Sequence, residues 1–114
     1  MVDKWDVRFC KLDPTQGSEQ KGRRPVLIVS NNAVNHNLPV STVLPLSAHK
    51  PNDKVYPTEV LLEANITGLQ KDSVAMVQQI RTVAHSRLET PVGHLNDIES
   101  RAKILEAMRM YFEI

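Results

Sequence analysis

Gly22-Arg-Arg-Pro-Val-Leu-Ile-Val-Ser-Asn31 is the stretch on which the fold turns. Its middle, Pro25 to Val29, is a short unbroken apolar run rich in β-branched residues, which predicts a strand buried on both faces. Arg24 and Ser30 mark its edges. Two arginines stand at its start, and an arginine there cannot point into an apolar core unpaired. Upstream, Asp13 to Arg23 collects Asp-Pro, Gly17, Gly22 and charged or amide side chains, a loop by residue type and long for a simple hairpin. Before it, Trp5 to Leu12 alternates Trp5, Val7 and Phe9 with Asp6, Arg8 and Cys10, the pattern of a half-buried strand.

Downstream, Asn31 to Pro39 reads as a loop, and Ser41 to Leu46 as a strand that Pro45 pushes toward a sheet edge or a bulge. Tyr56 to Leu62 and Ser73 to Ile80 add two strands separated by Gly68 and Asp72. A short helical turn over Ala84 to Leu88 ends at Pro91 and Gly93. The last segment differs: Ile98, Ala102, Leu105, Met108 and Phe112 recur at helical spacing. Asn96 is placed as the N-cap of that helix, with Glu99 as its capping-box partner. The expectation is a β-rich α+β fold with one C-terminal helix, in a single domain over 1–114.

The 114 residues are 41% hydrophobic, enough for a core without disulfides, and the single cysteine excludes an intramolecular one. Fourteen Lys and Arg against thirteen Asp and Glu leave a formal charge of +1, so a polyanionic partner must be met by a local patch. No apolar run approaches the ~20 residues of a membrane span, and the first residues lack signal-peptide character, so the chain reads as cytoplasmic. No HExxH, CxxC pair or clustered His and Asp spacing supports a metal site, and the Gly-Lys-Ser/Thr of a P-loop is missing, so neither a metal nor a nucleotide cofactor is expected.

Arg24 has two readings: closing the loop through a salt bridge to Glu19, or offering a fork of donors to a phosphate. Arg23 reads as a solvated loop charge. Ser47 is by default a strand-end hydroxyl whose interest depends on its place relative to Arg24. If Gln78 to Thr82 is one strand, Gln79 and Arg81 share a face, an amide beside a guanidinium suited to base edges and phosphates. Cys10 reads as a packing residue, His36, His85 and His94 as exposed, and His49 as a reserve acid or base.

Leu12-Asp-Pro-Thr-Gln-Gly-Ser-Glu-Gln20, Gly22-Arg-Arg-Pro-Val-Leu-Ile-Val-Ser-Asn31, Lys71-Asp-Ser-Val74 and Gln79-Ile-Arg-Thr82 together resemble the MazF/PemK toxins of bacterial toxin–antitoxin pairs. The likeness runs in order from about Val7 to Leu88. It implies a small SH3-like β-barrel (PemK/CcdB-like) with a C-terminal helix, a homodimer, a cognate antitoxin, and a metal-independent endoribonuclease acting on single-stranded RNA. In such chemistry the RNA 2′-hydroxyl attacks the adjacent phosphate and leaves a 2′,3′-cyclic phosphate and a 5′-hydroxyl. Carried over by position, the catalytic arginine is Arg24 and the catalytic hydroxyl is Ser47. The implied RNA-binding residues are Ser18, Glu19, Gln20, Lys21, Arg23, Asn31, Gln79 and Arg81. A disordered, acidic and apolar antitoxin segment is expected to cross the same groove.

The chain departs from the family at several points. One branch has His at Ser18, Asp at Gln78 and Arg at Met76, so that branch's acid–base set is absent. The usual glycine before the first aspartate is Trp5, which alters the turn, offers a ring for base stacking, or packs in the core. Two other functions compete with the nuclease: a catalytically weak RNA- or partner-binding barrel, and a gyrase-directed toxin of the same fold.

Overall fold

The computed structural model describes all 114 residues. Seven strands follow in order, β1 (Asp6–Lys11), β2 (Arg23–Ile28), β3 (Val40–Ala48), β4 (Glu59–Leu62), β5 (Ser73–Met76), β6 (Arg81–Ala84) and β7 (Leu88–His94). Helices α1 (Asn32–Asn35) and α2 (Ala64–Thr67) are single turns, and α3 (Ile98–Phe112) closes the chain. All pairings are antiparallel, in the order β4-β5-β3-β2-β1-β7 with β6 also on β3. This is an SH3-like barrel arrangement whose outer strands, β4 and β7, do not join.

β3 is central rather than an edge, and it changes partner midway. Val40 to Val43 pair with β6, and Leu46 to Ala48 pair with β5. Pro45 falls between the two pairings, where neither β6 nor β5 needs its missing N–H, while on its other side it lies across from Val26.

Two apolar sets form because the central strands alternate between two buried faces. Val7, Leu27, Leu44, Leu46, Val60, Leu62 and Ala75 pack with Ile104 and Ala107 of α3, while Cys10, Val26, Ile28, Val43 and Val83 fill the other side. Leu27 and Ile28 are fully buried side by side, each worth ~1.5–3 kcal/mol relative to exposure. β1 is more buried than its alternation suggests. Asp6 and Arg8 are inside because each has partners: Arg8 reaches Asp6 and the carbonyls of Met1 and Glu89, and His94 meets Asp6 at 2.9 Å.

Several boundaries differ from the sequence reading. β5 stops at Met76, and Val77–Gln79 is a 3-10 turn, so Gln78 to Thr82 is not one alternating strand. The turn near Ala84 is a 3-10 turn at His85–Arg87. Pro91 and Gly93 lie within β7, where an edge strand tolerates proline. Gly93 is required there, because a Cβ would overlap the Thr67 carbonyl of α2.

The N-cap of α3 is Asp97, whose carboxylate accepts from the Ser100 amide at 2.9 Å, while Asn96 turns back to the His94 carbonyl. The helix docks through Ser100, Ile104 and Ala107, two of them small enough to allow close approach. Most of the periodic stripe seen in sequence faces outward instead: Ile98, Leu105 and Phe112 are 80%, 40% and 47% exposed, while Met108 packs against the core. α3 is thus apolar on two sides. Trp5 resolves in favour of packing. It adopts φ 75° and is buried, its ring between Lys4 and Arg101 at 5.1 and 5.2 Å, so it offers no open stacking surface.

Candidate active site and nucleic-acid interface

Gly22, at φ 77°, turns the long loop into β2, after which Arg23 and Arg24 point to opposite faces of the strand. Arg23 is not a free loop charge. Its guanidinium makes two 2.8 Å hydrogen bonds to the Glu89 carboxylate and lies 4.0 Å over the Phe9 ring. The pair holds the Glu89 carboxyl below the ordinary range, chiefly through that hydrogen bond, and raises Arg23 for the same reason. The Arg24–Glu19 bridge considered from sequence does not form, because Glu19 folds back to accept from the Gln16 amide at 2.6 Å.

Arg24 is half-buried and has no carboxylate partner. Its Nε donates only to the Lys21 carbonyl, at 3.2 Å, which leaves the outer fork of the guanidinium free. The β2–β3 register pairs Ile28 with Val43, Leu27 with Leu44 and Val26 with Pro45. The pairing ends at Val26–Pro45; Arg24 lies two residues beyond it on β2 and Ser47 two residues beyond it on β3, where β3 has already turned to β5. The sequence-assigned pair thus stands on adjacent strands, past the last β2–β3 bridge. His49 lies one residue past β3, and its Nε2 bonds the Asp53 carbonyl at 3.1 Å. A nitrogen facing a carbonyl must carry its proton, so that atom is no base here.

The loop forms the other wall. Ser18, Glu19 and Lys21 are exposed and Gln20 is half-buried. A small recess of about 150 Å³ lies between the loop and Pro45, with Gln78, Gln79, Ile80 and Arg81 on its far side. Gln20 also lines it, and its Oε1 is buried without a hydrogen-bond donor. Gln79 and Arg81 do not present free side chains. Gln79 bonds the Gln20 amide and the Ser18 carbonyl, and Arg81 donates to the Leu12 carbonyl at 3.0 Å. Asn31 is not brought to this place: it caps α1 beyond the opposite end of β2 from Arg24.

Sequence reading missed three contributors, Arg87, Thr58 and Glu59. Arg87 holds the loop base by donating to the Lys11 and Asp13 carbonyls. Gln78 is oriented by Thr58, which donates to its Oε1 at 2.9 Å, and by Glu59, which accepts from its Nε2 at 2.8 Å. Only the exposed amide of Gln78 beside a strand end carried any local signal. Cys10 is buried among apolar neighbours, and burial pushes its thiol up, the opposite of an activated nucleophile. Nowhere do three His, Cys, Asp or Glu side chains gather as metal ligands do.

A family model described as PemK-like, MazF-like toxin of type II toxin–antitoxin system matches residues 3–112. The chain is 38% identical over 110 residues to Endoribonuclease EndoA of Bacillus subtilis, covering 96% of this chain and 93% of that protein. It is 36% identical over 119 residues to Endoribonuclease MazF9 of Mycobacterium tuberculosis, covering 100% and 98%. In fold it is similar to a solved mycobacterial endoribonuclease in complex with its cognate antitoxin, with TM-score 0.80, 23% identity, and 100% and 97% coverage.

Proposed function

This chain belongs to the PemK-like, MazF-like toxins of type II toxin–antitoxin systems, and from that premise we propose an endoribonuclease toxin that cleaves single-stranded RNA at the Arg24–Ser47 pair. The observation that carries the assignment is Arg24: a half-buried guanidinium with no acid beside it, on the strand next to the one that carries Ser47. A cation so placed favours a dianionic ligand, and it is most valuable where negative charge grows during reaction.

In this mechanism the 2′-hydroxyl of the RNA attacks its own 3′-phosphorus. The O2′–P bond forms as the P–O5′ bond breaks; the 2′-hydroxyl gives up its proton and the departing 5′-oxygen takes one. Products are a 2′,3′-cyclic phosphate and a 5′-hydroxyl. Arg24, a guanidinium, stabilises the extra charge on the phosphorane oxygens. Ser47 donates a hydrogen bond to a non-bridging oxygen. The residues assigned need no cofactor for these steps.

Lys21 adds phosphate attraction, and Ser18, Glu19 and Gln20 line the path of the bases. Arg23 contributes through its stacked, Glu89-bound position beside Phe9, while Gln79 and Arg81 shape the wall. Asn31 enters only where RNA runs the length of β2. The outward stripe Ile98, Leu105 and Phe112, spaced seven residues apart, is the face we assign to a homodimer. The partner is a cognate antitoxin whose acidic, apolar segment covers the groove and competes with RNA for Lys21 and Arg24. No helix is long and apolar enough to cross a membrane, and we place the protein in the cytoplasm.

Incubating the purified protein with a long unstructured RNA in EDTA and identifying the fragment ends tests this reading. Cyclic phosphate and 5′-hydroxyl ends made by wild type and not by Arg24→Ala are expected; equal cutting by the two proteins would sink it.

A further inference from the structure

Gln79 holds the groove loop in an unusual way. Its side-chain Nε2 donates to the Ser18 carbonyl at 3.1 Å, and its Oε1 accepts from the Gln20 amide at 3.3 Å. One amide thus binds the residues on either side of Glu19, as a strand residue does in a parallel bridge. Both contacts are to backbone, so the loop is fastened whatever side chains it carries. Below this point Arg81 and Arg87 hold the carbonyls of Lys11, Leu12 and Asp13. The loop tip has no other fastening to the barrel body among the side-chain hydrogen bonds, and Glu19 itself is committed to the Gln16 amide.

We propose that Gln79 is a positioning residue: its amide clips the loop over Glu19 and so fixes the wall against which RNA lies, without itself touching substrate. The clip is the weak point of the wall. Arg81 and Arg87 anchor a loop base already continuous with β1, and Arg24 holds the Lys21 carbonyl at the β2 end, whereas among side-chain hydrogen bonds from the barrel Gln79 alone reaches the tip carrying Ser18, Glu19 and Gln20. Opening it frees the tip while leaving the barrel and Arg24 in place. Loop order, and with it productive RNA placement, then depends on two hydrogen bonds from a residue 59 positions from Gln20 in the chain.

Hydrogen exchange and steady-state cleavage on the full-length protein test this together. In Gln79→Met, which keeps length and loses both bonds, the Gln20 amide is expected to exchange about tenfold faster or more. Thermal stability should hold while kcat/KM falls. Gln79→Glu keeps the acceptor for Gln20 but not the donor to Ser18, and should fall between wild type and Gln79→Met. The proposal is overturned by unchanged Gln20 exchange in Gln79→Met, or by faster exchange with kcat/KM intact. It rests on the ribonuclease reading only in its kinetic arm. Wild type that cuts no RNA would defeat that reading, and the exchange result would then decide the clip by itself.

Discussion

Arg23 and Glu89 form a two-pronged ion pair, both prongs at 2.8 Å, that ties the start of β2 to β7 across β1. Neighbouring Arg24, on the other face, is left without an acid. Two arginines adjacent in sequence therefore do different work, one fastening the sheet and one waiting for an anion. The Glu89 carboxyl is held below its ordinary range, so its share of stability is full above the unfolded carboxylate range and is lost as pH falls through the lowered folded value. Asp97, lowered by its bonds to Ser100 at the start of α3, acts in the same direction. Acid titration of the thermal midpoint should show a decline below the ordinary carboxylate range that is smaller in Glu89→Gln and in Asp97→Asn. An unchanged decline in both variants would contradict these assignments.

Salt dependence should be shallow. Arg23 is neutralised by Glu89, and Arg81 is spent on a backbone carbonyl, so of the cations assigned to RNA only Lys21 and Arg24 keep an unengaged charge. Two phosphate contacts on a single strand predict a slope of log affinity against log salt of roughly −1.4. Binding of an uncleavable 2′-deoxy strand, measured from low to moderate salt, checks this. A slope several times steeper would mean that the engaged arginines are released to RNA.

The two-sided helix makes a distinct prediction. Leu105→Glu places a charge in the outward stripe without disturbing Ile104 or Ala107, which hold α3 to the core. Sedimentation should show a dimer for wild type and a monomer for the variant, with the fold retained. A wild-type monomer at working concentration would remove the assigned face.

Gly93→Ala tests the packing of α2 on β7. The added methyl would overlap the Thr67 carbonyl, and because the obstacle is backbone, relief requires shifting a whole element. A loss of about 2 kcal/mol or more is expected in denaturant unfolding. A neutral effect would show that α2 yields easily.

What the sequence disclosed and what it hid divide by distance along the chain. Pro25 to Val29 announced a doubly buried strand through composition alone, and the helical spacing near the C-terminus announced α3. The choice between its two apolar stripes was invisible, since Ser100 and Ala107 dock by being small rather than by being hydrophobic. Arg24 and Ser47 were proposed through family likeness, whereas their placement on the adjacent strands β2 and β3 comes from the fold. The Arg23 partner lies 66 residues away, so a nearby carboxylate, Glu19, was the natural but mistaken candidate to hold an arginine of this pair. Gln79 was read as a strand residue facing RNA; a 3-10 turn, set by tertiary packing, turns its amide onto the loop instead.

In the proposed mechanism Arg24 and Ser47 act together on one phosphate. Single-turnover cleavage of an RNA of defined sequence by wild type, Arg24→Ala, Ser47→Ala and the double variant tests it most directly. Arg24→Ala should lose about 10²- to 10³-fold in rate, and the double variant should lose markedly less than the product of the two single losses, as groups serving one transition state do. Losses that simply multiply, or a double variant that still cuts at the wild-type rate, would contradict it.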